Sequence, residues 1–132
     1  MLLDSSILVA YYNRRDAWHS RAVGLLDNLE VLLLPAPVIP EVDYFLGQRI
    51  GTAAQIALYE DIAAQVYQVV ELSERGYQRV LQLNQQYQGL GLGFVDAAVI
   101  AIAEELGIGR IATLDRRHFG AIKARIALEL LP

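Results

Sequence analysis

The chain has 132 residues, 55% of them hydrophobic and 20% charged, which is enough apolar material for a sizeable core and too much for wholesale disorder. Eleven basic and fifteen acidic residues leave a formal net charge of −4, which excludes a domain that coats nucleic acid by bulk charge but leaves room for a local basic patch. The absence of cysteine excludes disulfides, thiolate-bound zinc and thiol catalysis, and the two histidines, His19 and His118, do not make a histidine-rich metal centre.

Taken in chain order, short apolar runs alternate with longer helical patterns. Leu2-Leu3 opens a brief strand that stops at Asp4, and Ile7 to Tyr12 makes one or two helical turns. Asp16 caps a helix carrying Ala17, Trp18, Ala22, Leu25, Leu26 and Leu29. Val31 to Leu34 is a strand that Pro35 and Pro37 keep from extending. Pro40 opens a helix toward Gly51, Thr52 to Gln65 forms another, and Tyr67 to Val70 is a strand. A helix starts at Ser73 and runs through Val80, Leu83 and Tyr87. The glycine-rich stretch 89–93 is a loop leading into a helix from Phe94 to Leu106, which Gly107 ends. Ile108 to Leu114 is strand-like, and Ile126 to Leu131 forms a last edge strand.

Strands separated by helices imply right-handed βαβ units, and strands that are apolar throughout imply burial on both faces. The expected fold is a three-layer α/β/α sandwich, 1–132 as one domain, with a short and mainly parallel central sheet. The opening Met1-Leu2-Leu3-Asp4 lacks a basic leader segment, and apolar runs such as 31–34 and 99–103 fall far short of the roughly 20 residues that a bilayer requires. The expectation is a soluble cytoplasmic protein with no membrane partner.

Open α/β sheets form their sites beyond the carboxyl ends of the strands. Asp4 and Asp115 each follow a strand, and Asp96 and Glu41 each lie in the first turn of a helix. Alone, each reads as a helix-start or turn carboxylate. Together they embed four charges among residues bound for the core, as in Leu-Leu-Asp, Phe-Val-Asp-Ala-Ala and Thr-Leu-Asp. Two carboxylates 4 Å apart repel by roughly 4 kcal/mol at an effective dielectric near 20, so such a cluster requires protons or a cation. Oxygen ligands select a hard divalent ion, Mg²⁺ or Mn²⁺, and such sites usually handle phosphate esters.

Four segments then carry a family resemblance: Leu-Leu-Asp-Ser-Ser-Ile-Leu-Val-Ala at 2–10, Ile-Pro-Glu-Val at 39–42, Phe-Val-Asp-Ala-Ala-Val-Ile-Ala-Ile-Ala at 94–103, and Ile-Ala-Thr-Leu-Asp-Arg-Arg-His-Phe at 111–119. In this order and spacing the sequence resembles a PIN domain, and more narrowly the VapC-type toxins of bacterial toxin–antitoxin pairs. The resemblance implies that Asp4, Glu41, Asp96 and Asp115 form the acidic metal site of a Mg²⁺- or Mn²⁺-dependent endoribonuclease. Ser6 and Thr113 match hydroxyl residues that orient the carboxylates or a bound water. The implied partners are an RNA substrate (tRNA, rRNA or mRNA), a cognate antitoxin protein and a second copy in a homodimer. The sequence departs from the family in placing Ser5 where threonine is frequent, and Arg117 where many members carry another acid.

Arg14, Arg15, Arg116 and Arg117 fall in loops that can reach the carboxylate edge and are candidates for phosphate contact. His118 is read as capping a loop rather than as a general acid, and His19 as a packing or surface residue. Asp43, two residues from Glu41, is directed to another helix face and left out of the site. Tyr11, Tyr12, Trp18, Tyr44 and Phe45 are each expected to be buried; the toxin resemblance implies that part of this apolar surface instead binds an antitoxin segment or a second copy of the chain. A catalytically silent binding module of the same fold is the alternative. A phospho-receiver-like Mg²⁺ domain fits less well, because Asp4 has serine neighbours and Lys123, the single lysine, ends no strand.

Overall fold

The computed structural model describes residues 1–28 and 30–132. Five strands, β1 (Leu2–Leu3), β2 (Leu33–Pro35), β3 (Gln68–Val70), β4 (Arg110–Ala112) and β5 (Glu129–Leu131), form one parallel sheet in the order β3-β2-β1-β4-β5. Seven α-helices connect them among the described residues: α1 (Ser5–Tyr12), α2 (His19–Leu26), α3 (Val38–Arg49), α4 (Thr52–Ala63), α5 (Glu74–Gln86), α6 (Gly93–Leu106) and α7 (Arg116–Ala121). The chain adds strands in one direction from β1 to β3, then crosses back to β4 and continues outward. With right-handed crossovers, that reversal places α1 to α4 on one face and α5 to α7 on the other. Accordingly, α1 packs against α2, α3 and α4, while α5 pairs with α6. The expected three-layer sandwich is present, with every strand pair parallel.

The core explains the apolar runs. Leu2, Leu3, Leu34, Ile111 and Ala112 on the central strands are fully buried. On α6, every residue from Ala97 to Ala103 is buried, because the helix lies between the sheet and α5. The outer strands differ from the expectation of uniform burial: Gln68 and Val69 of β3 and Glu129 of β5 are exposed, as sheet-edge positions are.

Several boundaries also differ from those expected. The helix expected from Asp16 starts at His19, after a turn in which the Asp16 carboxylate accepts the Trp18 amide at 2.8 Å. Leu29, placed on that helix by the sequence, lies outside the described residues. Pro40 sits one turn inside the start of α3, where its missing N–H is not needed. The strand expected over Ile108 to Leu114 pairs only at 110–112, which frees Thr113 and Asp115 for the sheet edge. No helix among the described residues is long and apolar enough to cross a membrane.

Candidate metal centre and cleft

Four helices start at the carboxyl edge of the sheet, and each brings one carboxylate. Asp4 immediately precedes α1, Glu41 lies in the first turn of α3, Asp96 in the first turn of α6, and Asp115 immediately precedes α7. The free N–H groups of a first helical turn carry partial positive charge, which makes these tolerable places for acids. All four residues line one cleft of about 620 Å³. It opens beside β1 and β4, where the strand order reverses, the usual place for a ligand site in an open parallel sheet.

Asp4 is the buried centre, with 1% of its surface exposed. It occupies the N-cap position of α1, yet its side chain makes no capping bond. Instead Oδ2 accepts two hydroxyls, from Ser6 and from Thr113, each at 2.7 Å. Those hydroxyls are themselves held by backbone donors: Leu114 N–H to Ser6 Oγ and Asp115 N–H to Thr113 Oγ1, both at 2.9 Å. With the hydrogens of both hydroxyls committed, Oδ1 of Asp4 is left buried without a partner. Oε2 of Glu41 is in the same condition.

His118 joins the site. Its Nδ1 lies 2.8 Å from Asp115 Oδ2 and 2.9 Å from Asp96 Oδ2, so one ring nitrogen bridges two carboxylates. The Asp115 side chain also caps α7, its Oδ1 accepting the His118 amide at 3.0 Å. Burial, followed by the charges of Asp4 and Asp115, pushes the Asp96 carboxyl up to about 7, with His118 acting in the opposite sense. Burial and the Asp4 charge raise Glu41 as well. Two buried anionic oxygens without donors, beside acids that burial and mutual repulsion hold toward the protonated form, suit a cation. Asp4, Glu41, Asp96 and Asp115 offer it oxygen ligands, and His118 is the one nitrogen at hand.

Asn84 of α5 fixes the entry to α6. Its Oδ1 accepts the Gly93 N–H at 2.9 Å and its Nδ2 donates to the Gly93 carbonyl at 3.0 Å. Gly93 itself has φ +80°, a conformation that side chains other than glycine's rarely adopt. This clamp sets the first turn of α6 and with it Asp96.

The profile of the PIN domain matches residues 1–124. The chain belongs to the PIN-domain family. Ribonuclease VapC26 of Mycobacterium tuberculosis is 28% identical to this PIN domain over 124 residues, which is 93% of this chain and 92% of that protein. The crystal structure of VapC20 from the same species, described as a sarcin–ricin loop cleaving toxin, superposes with a TM-score of 0.83 at 22% identity, covering 96% of this chain and 98% of that one. VapBC2 from Rickettsia felis, bound to a DNA fragment from their promoter, gives a TM-score of 0.72 at 18% identity over 99% of this chain and 98% of that one. At these identities the two superpositions establish the fold.

Of the residues singled out by sequence, Asp4, Ser6, Glu41, Asp96 and Asp115 line the cleft of this PIN domain, with Thr113 bonded behind Asp4. The arginines behave differently. Arg14, Arg15 and Arg117 are exposed and do not line the cleft. Arg116 donates to the carbonyls of Leu130 and Pro132 at 3.3 and 2.6 Å, which ties it to the β5 edge. The cleft's arginine is Arg49, which the sequence reading passed over. Its signal was the spacing of Glu41, Phe45 and Arg49, three residues on one stripe of α3. His118 is likewise more than a loop residue, and its three-residue spacing from Asp115 was the available clue.

Proposed function

We propose that this PIN domain is a Mg²⁺- or Mn²⁺-dependent endoribonuclease, the toxin of a toxin–antitoxin pair, with Asp4, Glu41, Asp96 and Asp115 as its metal ligands. The observation that carries this reading is the pair of buried, partnerless oxygens on Asp4 and Glu41 within a cluster of four carboxylates. The relation to ribonuclease VapC26 supports the reaction, and the likeness to the VapBC2 complex supports a cognate antitoxin.

A bound divalent cation supplies an acidified water and offsets the charge that develops on phosphorus. The protein's residues do the rest. Ser6 and Thr113 lock the Asp4 carboxylate, so that Oδ1 is preset for ligation and needs no reorganisation when substrate arrives. Asp96, ionised once a cation is bound, would hold that cation together with Asp4, and the attacking water's proton passes to solvent in the open cleft. His118 holds Asp96 and Asp115 together at the cleft wall. Water oxygen bonds to phosphorus, one ribose oxygen leaves and takes up a proton from solvent, and the other fragment retains the phosphate.

The test is incubation of total tRNA and rRNA with partner-free protein in Mg²⁺, Mn²⁺ or EDTA, alongside Asp96→Asn. Discrete metal-dependent fragments that the variant fails to make are expected. Equal cleavage by Asp96→Asn would refute the site.

A further inference from the structure

The cleft holds five acidic residues, Asp4, Asp16, Glu41, Asp96 and Asp115, and Arg49 is its single arginine or lysine among the described residues. The guanidinium of Arg49 lies over the Phe45 ring, 4.8 Å from the centroid. Among the described residues it makes no ion pair and no hydrogen bond, although carboxylates share its cleft. Stacked in this way, an arginine keeps its fork of N–H donors free and its side chain preordered. Helical side chains lean toward the N-terminus of their helix, so Arg49 reaches back over Phe45 toward Glu41.

The start of α6 lines the same cleft with Phe94, two residues before Asp96. Phe94 is 46% exposed, and the Asn84 clamp on Gly93 fixes the backbone beneath it. Its ring neighbours Tyr77, 57% exposed, with centroids 6.1 Å apart and planes tilted by 39°. Core demand does not explain a large ring so exposed beside an acidic centre. A base with an open π-face would use it.

We infer that Arg49 grips the phosphate neighbouring the one that is cut while Phe94 stacks the adjoining base, two contacts that set how the strand lies beside the acids. The inference rests on the ribonuclease reading for its substrate. Stacking on Phe94 requires a base released from its own stack, and an A-form duplex presents none. The phosphate contact lets an acidic protein hold a polyanion with a single well-placed cation.

The test measures binding apart from cleavage. A fluorescein-labelled pool of short unpaired RNA, and the same pool annealed to its complement, are titrated by anisotropy in Ca²⁺ against the Asp96→Asn protein carrying no further change, Arg49→Ala, Arg49→Lys, Phe94→Ala or Phe94→Tyr. Unpaired RNA should bind more tightly than duplex. Phe94→Ala should weaken the unpaired strand by about 5- to 150-fold, and Phe94→Tyr should restore it. Arg49→Ala should lower the slope of log affinity against log salt by about 0.7, and Arg49→Lys should keep it. Equal binding of duplex and strand, or unchanged affinity and salt slope in both alanine variants, would overturn the inference. In otherwise wild-type protein, metal-dependent cleavage unaffected by Arg49→Ala and Phe94→Ala would overturn it while leaving the ribonuclease standing. Strand binding that depends on both residues, without cleavage by wild-type protein, would uphold the inference and remove the enzymatic reading.

Discussion

Thr113 donates its hydroxyl hydrogen to Oδ2 of Asp4 at 2.7 Å, across 109 residues of sequence. The sheet register makes this contact: Leu2 pairs with Ile111 and Leu3 with Ala112, so the next residues on the two strands, Asp4 and Thr113, emerge side by side at the carboxyl edge. The Asp4 amide continues the ladder by bonding the Ala112 carbonyl at 3.0 Å. A buried carboxylate is thereby oriented by a neighbouring strand together with Ser6 of its own helix.

Replacing Thr113 by Val removes that hydroxyl at nearly constant shape. Asp4 then keeps one donor, Ser6, and the Asp115 amide loses its acceptor. The expected loss is about 1–3 kcal/mol of stability, read from urea unfolding. Mn²⁺ affinity should fall about 10- to 100-fold by calorimetry. Wild-type metal affinity in the variant would mean that Asp4 is oriented without Thr113.

The raised Asp96 carboxyl gives the metal-free protein a defined pH response. Its value in the folded state, about 7, lies above its ordinary value of 3.8, so across that interval the folded form holds a proton that the unfolded form has lost. Stability should therefore fall as pH rises from about 4 to about 7 and then level off, by at most about 4 kcal/mol from this group. Thermal unfolding in EDTA at pH 5.5 and pH 8 measures it. Asp96→Asn should flatten the difference and melt higher than wild type at pH 8. A wild-type protein equally stable at both pH values would contradict the repulsion described at this site.

Metal and protons compete for the same carboxylates. Mg²⁺ at 100 times its dissociation constant should stabilise the fold by about 2.7 kcal/mol if it binds the folded form alone. Because Asp96 and Glu41 are both raised, the dissociation constant should weaken as pH drops from 8 to 6. A pH-independent affinity over that range would place the metal away from these two residues.

Gly109 gives a stability prediction independent of the site's charges. A Cβ at this position would stand 2.0 Å from the Ala127 carbonyl oxygen, where β4 and β5 close against each other. The Gly109 carbonyl also accepts the Glu129 amide at 2.8 Å. Gly109→Ala must displace backbone, at a cost of about 1–3 kcal/mol or more, seen as a lower urea midpoint. Since β4 leads directly to Thr113 and Asp115, metal affinity should weaken with it.

The four acids were legible because each interrupts an apolar run at a strand end or helix start, and the alternation of elements made the parallel sheet legible as well. The arginines were not. A pair such as Arg116-Arg117 is conspicuous in sequence, but the carbonyls of the β5 edge take Arg116, and a free carbonyl edge has no sequence signal. Arg49 is a lone charge near a helix end; its four-residue spacing from Phe45 is visible in the sequence, but only the path of α3 brings the pair to the cleft. The bridge by His118 depends on the position of α7 relative to α6, a long-range arrangement that local spacing does not encode.

The central claim is that these carboxylates are a metal site, and Mn²⁺ titration followed by calorimetry and electron paramagnetic resonance tests it most directly. Wild type, Asp4→Asn and Asp43→Asn are compared. Asp43 lies two residues from Glu41 but accepts the Tyr59 hydroxyl and does not line the cleft, so it controls for the simple loss of an acid on the same helix. Tight Mn²⁺ binding should disappear in Asp4→Asn and persist in Asp43→Asn. Undiminished binding in Asp4→Asn would contradict the account.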